Sequence, residues 1–226
     1  MDYERCLQLA GTDLCDEDLF ATLAAVAGYY VTRADLRRVV QVLESLRTGL
    51  EHGRPWFIPV IEEYAGLLAL LRGEFDAAGA HLETAIAGLA AADVDSTYLV
   101  DAEWFVVSEP LVYTHAHLAS ARCMRGDLTG AETEFANAAF RAEQLGFPQG
   151  PYTSGYARML EIGVRIEAGQ LDRAGVLAAD LSKLGERHGF DGWRVVGPPG
   201  RRPLAAWARS APTTSTRPPS RVILRP

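Results

Sequence analysis

Lysine is nearly missing from this chain: of 22 basic residues among 226, only Lys183 is a lysine. It lies in LSKLGE, behind no glycine-rich run. A phosphate loop of the GxxxxGK[ST] kind needs its lysine directly after glycines whose backbone N–H groups cradle phosphate. Nucleotide hydrolysis by that device is excluded. No GxGxxG follows a strand-like run, and neither GxSxG nor HExxH occurs, so the usual dinucleotide, serine-hydrolase and zinc-protease motifs are missing too.

Cysteine is scarce. Cys6, Cys15 and Cys123 are odd in number and lack CxxC spacing, which supports neither a disulfide framework nor a thiolate metal site. No run of 18 apolar residues is present, so no membrane span is expected. The start, MDYERCLQLAGTDLCDED, is acidic and lacks the basic and apolar segments of a secretory signal. A soluble, cytoplasmic protein is expected. Cationic surface is short as well: the net charge is -7, and a general nucleic-acid binder needs positive charge to displace counterions from phosphate. No direct nucleic-acid partner is expected.

What the chain has is a repeat. VTRADLRRVVQVLESL (31 to 46), LLRGEFDAAGAHLETAI (70 to 86), CMRGDLTGAETEFANAA (123 to 139) and IEAGQLDRAGVLAADL (166 to 181) align on a small residue, Ala34, Gly73, Gly126 and Gly169. Five positions later stand Val39, Ala78, Ala131 and Ala174. A small residue at a tight turn and another where two helices touch are what a helical hairpin requires. Apolar residues at helical spacing, such as Val60, Tyr64, Leu67, Leu68 and Leu71, support helix, and no strand alternation of comparable length is seen.

The expected fold is all-α: a tetratricopeptide-like α-solenoid of about four hairpins over 16 to 53, 55 to 92, 109 to 146 and 151 to 189. Pro55, Pro110 and Pro151 are expected at or just before helix starts. Residues 1–15 form an N-terminal extension and 16–196 the array, with an acidic insertion at 93 to 110 whose WFVV stretch is expected to tuck against the helices. The Pro/Arg-rich end, 197–226, is expected to be disordered. That end lacks the polar capping helix usual for a solenoid, which points to a shifted reading frame of GC-rich DNA and to an exposed apolar face where a second copy pairs.

Chemistry-bearing clusters are few. DVDSTYLVDAEW starts like a calcium loop but has Tyr98 where glycine is needed and Trp104 in place of the bidentate glutamate. His115 and His117 are two apart on a helix and face different ways, unlike a metal pair. One is expected in the packing and the other at the surface. Cys123 reads as a small core residue. No metal site and no cofactor are expected.

With the turn residue as register, Glu62, His115 and Arg158 occupy one equivalent position, and Tyr30, Arg122 and Arg165 another, two turns later on the same stripe. Such a stripe would line the concave side of a stacked array. It would either present convergent guanidiniums to an anion or carboxylate or be closed by ion pairs, Glu161 neutralising Arg158 or Arg165.

RGEFDAAGAHLETAI, RAEQLGFPQGPYTSGYARMLE, IEAGQLDRAGVLAADL and ERHGFDGW carry a resemblance, spanning 16 to 196. It is to the tetratricopeptide-like C-terminal region of bacterial LuxR-type regulators and adenylate cyclase-linked signalling ATPases. The resemblance implies a sensor array that regulates a cyclase or ATPase. The catalytic parts of that family are missing here, as is its helix-turn-helix. The expected function is therefore non-catalytic, binding of a protein segment or small ligand in signalling. A remnant of a multidomain regulator without activity of its own stands beside it, and an unrecognised enzyme stands behind both.

Overall fold

The computed structural model describes residues 17–50, 58–93 and 109–196. Among them the chain is all-helical: α1 (Glu17–Thr32), α2 (Leu36–Leu50), α3 (Ile58–Arg72), α4 (Phe75–Asp93), α5 (Pro110–Met124), α6 (Leu128–Glu143), α7 (Gln149–Glu167), α8 (Leu171–His188) and α9 (Asp191–Val196). The N-terminal extension, Pro55, most of the insertion and the Pro/Arg-rich end lie outside the described residues.

Four of the turns are the same object. Ala34, Gly73, Gly126 and Gly169 all have positive φ, between 53° and 84°, the left-handed region in which a side chain is strained and glycine is not. In each, the N–H of the next residue reaches back to the carbonyl five residues earlier: Asp35 to Tyr30, Glu74 to Ala69, Asp127 to Arg122 and Gln170 to Arg165, at 2.8–3.0 Å. This Schellman closure satisfies carbonyls the helix end would leave bare. The same residue then accepts the first N–H of the following helix, from Val39, Ala78, Ala131 or Ala174. One residue ends a helix and starts the next.

So short a turn folds the second helix back along the first. At the crossing stand Val39, Ala78, Ala131 and Ala174, all at most 2% exposed, where a larger side chain would hold the helices apart. Helix α1 packs on α2, α3 on α4, α5 on α6 and α7 on α8, and each pair also packs on the next, α2 on α3, α4 on α5 and α6 on α7. First helices touch as well, α1 with α3 and α5 with α7. The core follows as overlapping clusters, each shared between neighbours. Ala69, Ala78, Leu82, Leu118 and Ala121 join α3, α4 and α5, and Val112, Ala131, Phe135, Ala138 and Val164 join α5, α6 and α7. A leucine buried as fully as Leu82 contributes roughly 1.5–3 kcal/mol of transfer free energy.

Two sequence expectations need correction. Pro151 does not open its helix: α7 begins at Gln149, with Pro148 at the N-cap, so Pro151 falls in the first turn, where its missing N–H still costs no hydrogen bond. Nor is the end of the fourth pair bare. Gly189 is left-handed and ends α8, and the chain turns into α9, which lays Trp193, 8% exposed, into a cluster with Ile162, Ala174 and Leu181. An added Cβ on Gly155 would stand 2.7 Å from the indole nitrogen, so that glycine is what admits the ring.

Candidate functional site

The polar stripe of the first helices is largely occupied by partners. Glu62 meets His81 at 2.5 Å and Arg47 at 3.9 Å. His115 Nδ1 lies 2.6 Å from Glu134, and Arg122 joins the same carboxylate at 2.9 Å and Glu83 at 3.1 Å. Arg165, only 3% exposed, is held by Glu161, Glu132 and the Gln170 side chain. Tyr30 is buried and accepts from Arg38, whose guanidinium also covers its ring. Arg158 is part-exposed. The Arg122 and Arg165 guanidiniums are thus held by carboxylates, Arg122 by those of neighbouring helices and Arg165 by Glu161 of its own helix and Glu132 of α6. Of the two histidines, His117 is the one buried in the packing, and His115 stands in the ion pair.

Electrostatics follow from these partners. Burial pulls the Glu134 carboxyl up, but His115, Arg122 and Asn137 together hold it below the ordinary carboxylate range. Glu109 ties three helices. It caps α5 through Val112 N–H at 2.8 Å, binds Arg141 of α6 at 2.9 Å, and its own N–H reaches Thr153 of α7 at 3.2 Å. A carboxylate at a helix N-terminus also meets the positive end of the helix dipole.

A second group lies at the seam of α3, α5 and α7, and the sequence did not single it out. Tyr113 and Tyr156 stack with centroids 4.7 Å apart, and His117 packs on Tyr113 at 4.2 Å. His117 Nδ1–H donates to the Tyr113 carbonyl at 2.8 Å; since that carbonyl only accepts, Nε2 is left to accept from the Tyr156 hydroxyl at 3.3 Å. The Tyr113 hydroxyl hydrogen-bonds Tyr156. Beside them Glu63 is 6% exposed and hydrogen-bonded to Thr114. The hydrogen of the Thr114 hydroxyl goes to the Pro110 carbonyl at 2.8 Å, so a protonated Glu63 can donate to its oxygen.

No family model, curated protein or solved structure matches the chain. Its chemistry is read from geometry alone. Burial, opposed by the Thr114 hydrogen bond and helped by the Glu109 charge, raises Glu63 to about 8. Burial lowers His117 to about 4, and raises Tyr156 to about 12 and Tyr64 and Tyr113 further. These shifts favour the uncharged forms of Glu63, His117 and the three tyrosines near neutral pH. Among the described residues no three His, Cys, Asp or Glu side chains are grouped to hold a metal ion, and no described helix is long and apolar enough to cross a membrane. Burial, first of all, raises the Cys123 thiol above its ordinary value, which disfavours the nucleophilic thiolate.

Superposing the repeats one step further round the helix could have found this seam. Tyr113 and Tyr156 share one register position, and Tyr64 and His117 share another. What the register does not reveal is burial.

Proposed function

We propose that the chain is a tetratricopeptide-like α-solenoid of four helical hairpins, a non-catalytic module that binds a protein segment or small ligand along its first helices in a signalling system. The observation that carries this is the fourfold recurrence, in one register, of a left-handed turn residue followed five positions later by a buried alanine or, once, valine. Identical turns give each pair a similar geometry, and pairs that stack only on neighbours make an extended surface of rigid helices suited to binding. The resemblance to the helical regions of LuxR-type and cyclase-linked ATPases makes a cyclase or ATPase the natural partner. Tyr30, Glu62, His115, Arg122, Arg158 and Arg165 line this surface in the proposal, and an incoming carboxylate would exchange with Glu132 or Glu134 for the guanidiniums.

The test is hydrogen exchange on the full chain, with peptides and small metabolites first chosen for raising its melting temperature. Protection along α3, α5 and α7 is expected. Protection confined to the outward faces of α4, α6 and α8 would overturn the proposal.

A further inference from the structure

Among the described residues, one carboxyl at the seam has no cation paired with it. Glu62, Glu109, Glu134 and Glu161 each stand against an arginine or histidine, whereas Glu63 forms no salt bridge with any described residue and its nearest charge is the carboxylate of Glu109. Its surroundings are the hydroxyl of Thr114 and the tyrosines at 64, 113 and 156, all near enough to feel its charge. Leaving a carboxyl buried without a counter-charge is costly, and it is met here by keeping the proton.

Such a place is complementary to an organic cation. Aromatic faces attract an ammonium group through their negative π-clouds, and a carboxylate beside them supplies the opposite charge only when that group arrives. An anion would meet no described cation paired with Glu63, and among the described residues no three His, Cys, Asp or Glu side chains are grouped to hold a metal ion. Tyr113 and Tyr156 are part-exposed, unlike the buried Glu63 and Tyr64.

We propose that the seam of α3, α5 and α7 around Glu63 binds an organic ammonium group, with Glu63 as its counter-ion and the tyrosine rings at 64, 113 and 156 about it. The proposal rests on the binding-module function above and names the ligand chemistry. Binding drives the Glu63 proton into solvent while the neighbouring groups hold theirs. His117 stays neutral, the three tyrosines stay protonated, and Glu109 stays paired with Arg141. Affinity therefore rises with pH.

The experiment is calorimetric titration of the full chain with choline and with its neutral carbon isostere dimethylbutanol, near pH 6 and near pH 8. A peptide bearing trimethyllysine serves as a second source of the same group. Choline or the peptide is expected to bind at least about tenfold more tightly than the isostere, a difference of about 1.4 kcal/mol, and more tightly at the higher pH. Binding of the peptide without choline assigns the ammonium to a protein partner; binding of choline assigns it to a free small molecule. Glu63→Gln, close in shape to the protonated acid and checked for native helicity by circular dichroism, is expected to lose about tenfold or more, while Arg173→Ala keeps wild-type affinity. Equal binding of choline and isostere, full affinity in Glu63→Gln, or no ammonium binding at all would overturn the proposal. If another ligand protects α3, α5 and α7 while ammonium is rejected, this inference alone falls; protection confined to the outward second-helix faces sinks both.

Discussion

His115 Nδ1 lies 2.6 Å from Glu134 of the facing helix, and the equivalent two positions of the preceding pair hold Glu62 and His81 in reverse order, 2.5 Å apart. The same helix-to-helix contact is made with carboxylate and imidazole exchanged. Position sets the contact, and either helix can supply the base. Charged side chains at these positions therefore act first as ties between helices, and a ligand must compete with them.

That competition is unequal, because burial differs. Arg165 is 3% exposed and bonded to Glu161, Glu132 and Gln170, whereas the Arg173 side chain on the same Glu132 is 59% exposed. Removing one partner of a buried pair leaves uncompensated groups and costs about 3–5 kcal/mol; an exposed pair contributes roughly 0–1 kcal/mol. Arg165→Ala is expected to lower the urea midpoint sharply and Arg173→Ala hardly at all. Equal effects would contradict the burial difference.

Three of the four turn positions are glycine, and the fourth is Ala34 at φ 53°. Ala34→Gly removes the strain of a side chain in that region but adds freedom to the unfolded chain. A net gain of about 0.5 kcal/mol is expected. Gly126→Ala, at φ +84° with nothing within 4 Å of the added carbon, should instead lose about 1 kcal/mol through the backbone alone. Thermal melts of the two variants should move in opposite directions.

Stability should fall as pH rises from neutral to mildly basic. Glu63 has its folded value raised to about 8 from 4.5, so the folded state holds a proton the unfolded state has lost, and that contribution disappears up to about pH 8. His117, lowered from 6.5 to about 4, acts oppositely, making stability rise between those values. The two offset each other between about pH 4.5 and 6.5. Above 6.5 Glu63 is the one of these two that still acts, and it alone is expected to contribute a loss of about 1–2 kcal/mol by pH 8, upper-bounded by one proton. Urea midpoints across this range should be flatter in Glu63→Gln; an unchanged slope would disprove the assignment.

Trp193 carries a buried indole N–H with no hydrogen-bond partner among the described residues. Replacing it by phenylalanine removes that unsatisfied donor while keeping an aromatic ring, so Trp193→Phe should be nearly neutral or slightly stabilising. Gly155→Ala, whose new carbon would meet the ring, should cost about 1–3 kcal/mol. Differential scanning calorimetry of both variants checks the pair.

Helix, turn and pairing were legible because each depends on residues close in the chain. The spacing from Gly126 to Ala131 carries the whole geometry of one turn, and the repeat shows it several times over. Trp193 was harder: ERHGFDGW reads as a helix ending at Gly189, and nothing local says that Asp191–Val196 form α9 and fit a ring against Gly155. The stripe positions were found, but their ionic partners came from helices whose relative placement the register does not state.

The sequence by itself determined that the chain is helical, where its turns fall and which small residues lie at the crossings, since backbone strain and helical periodicity are local. Only the tertiary structure decided which charges are spent on each other and that Glu63 lies among tyrosines with no described cation against it. Burial and partnership arise from several helices at once, and no spacing along one helix encodes the dielectric that the others impose.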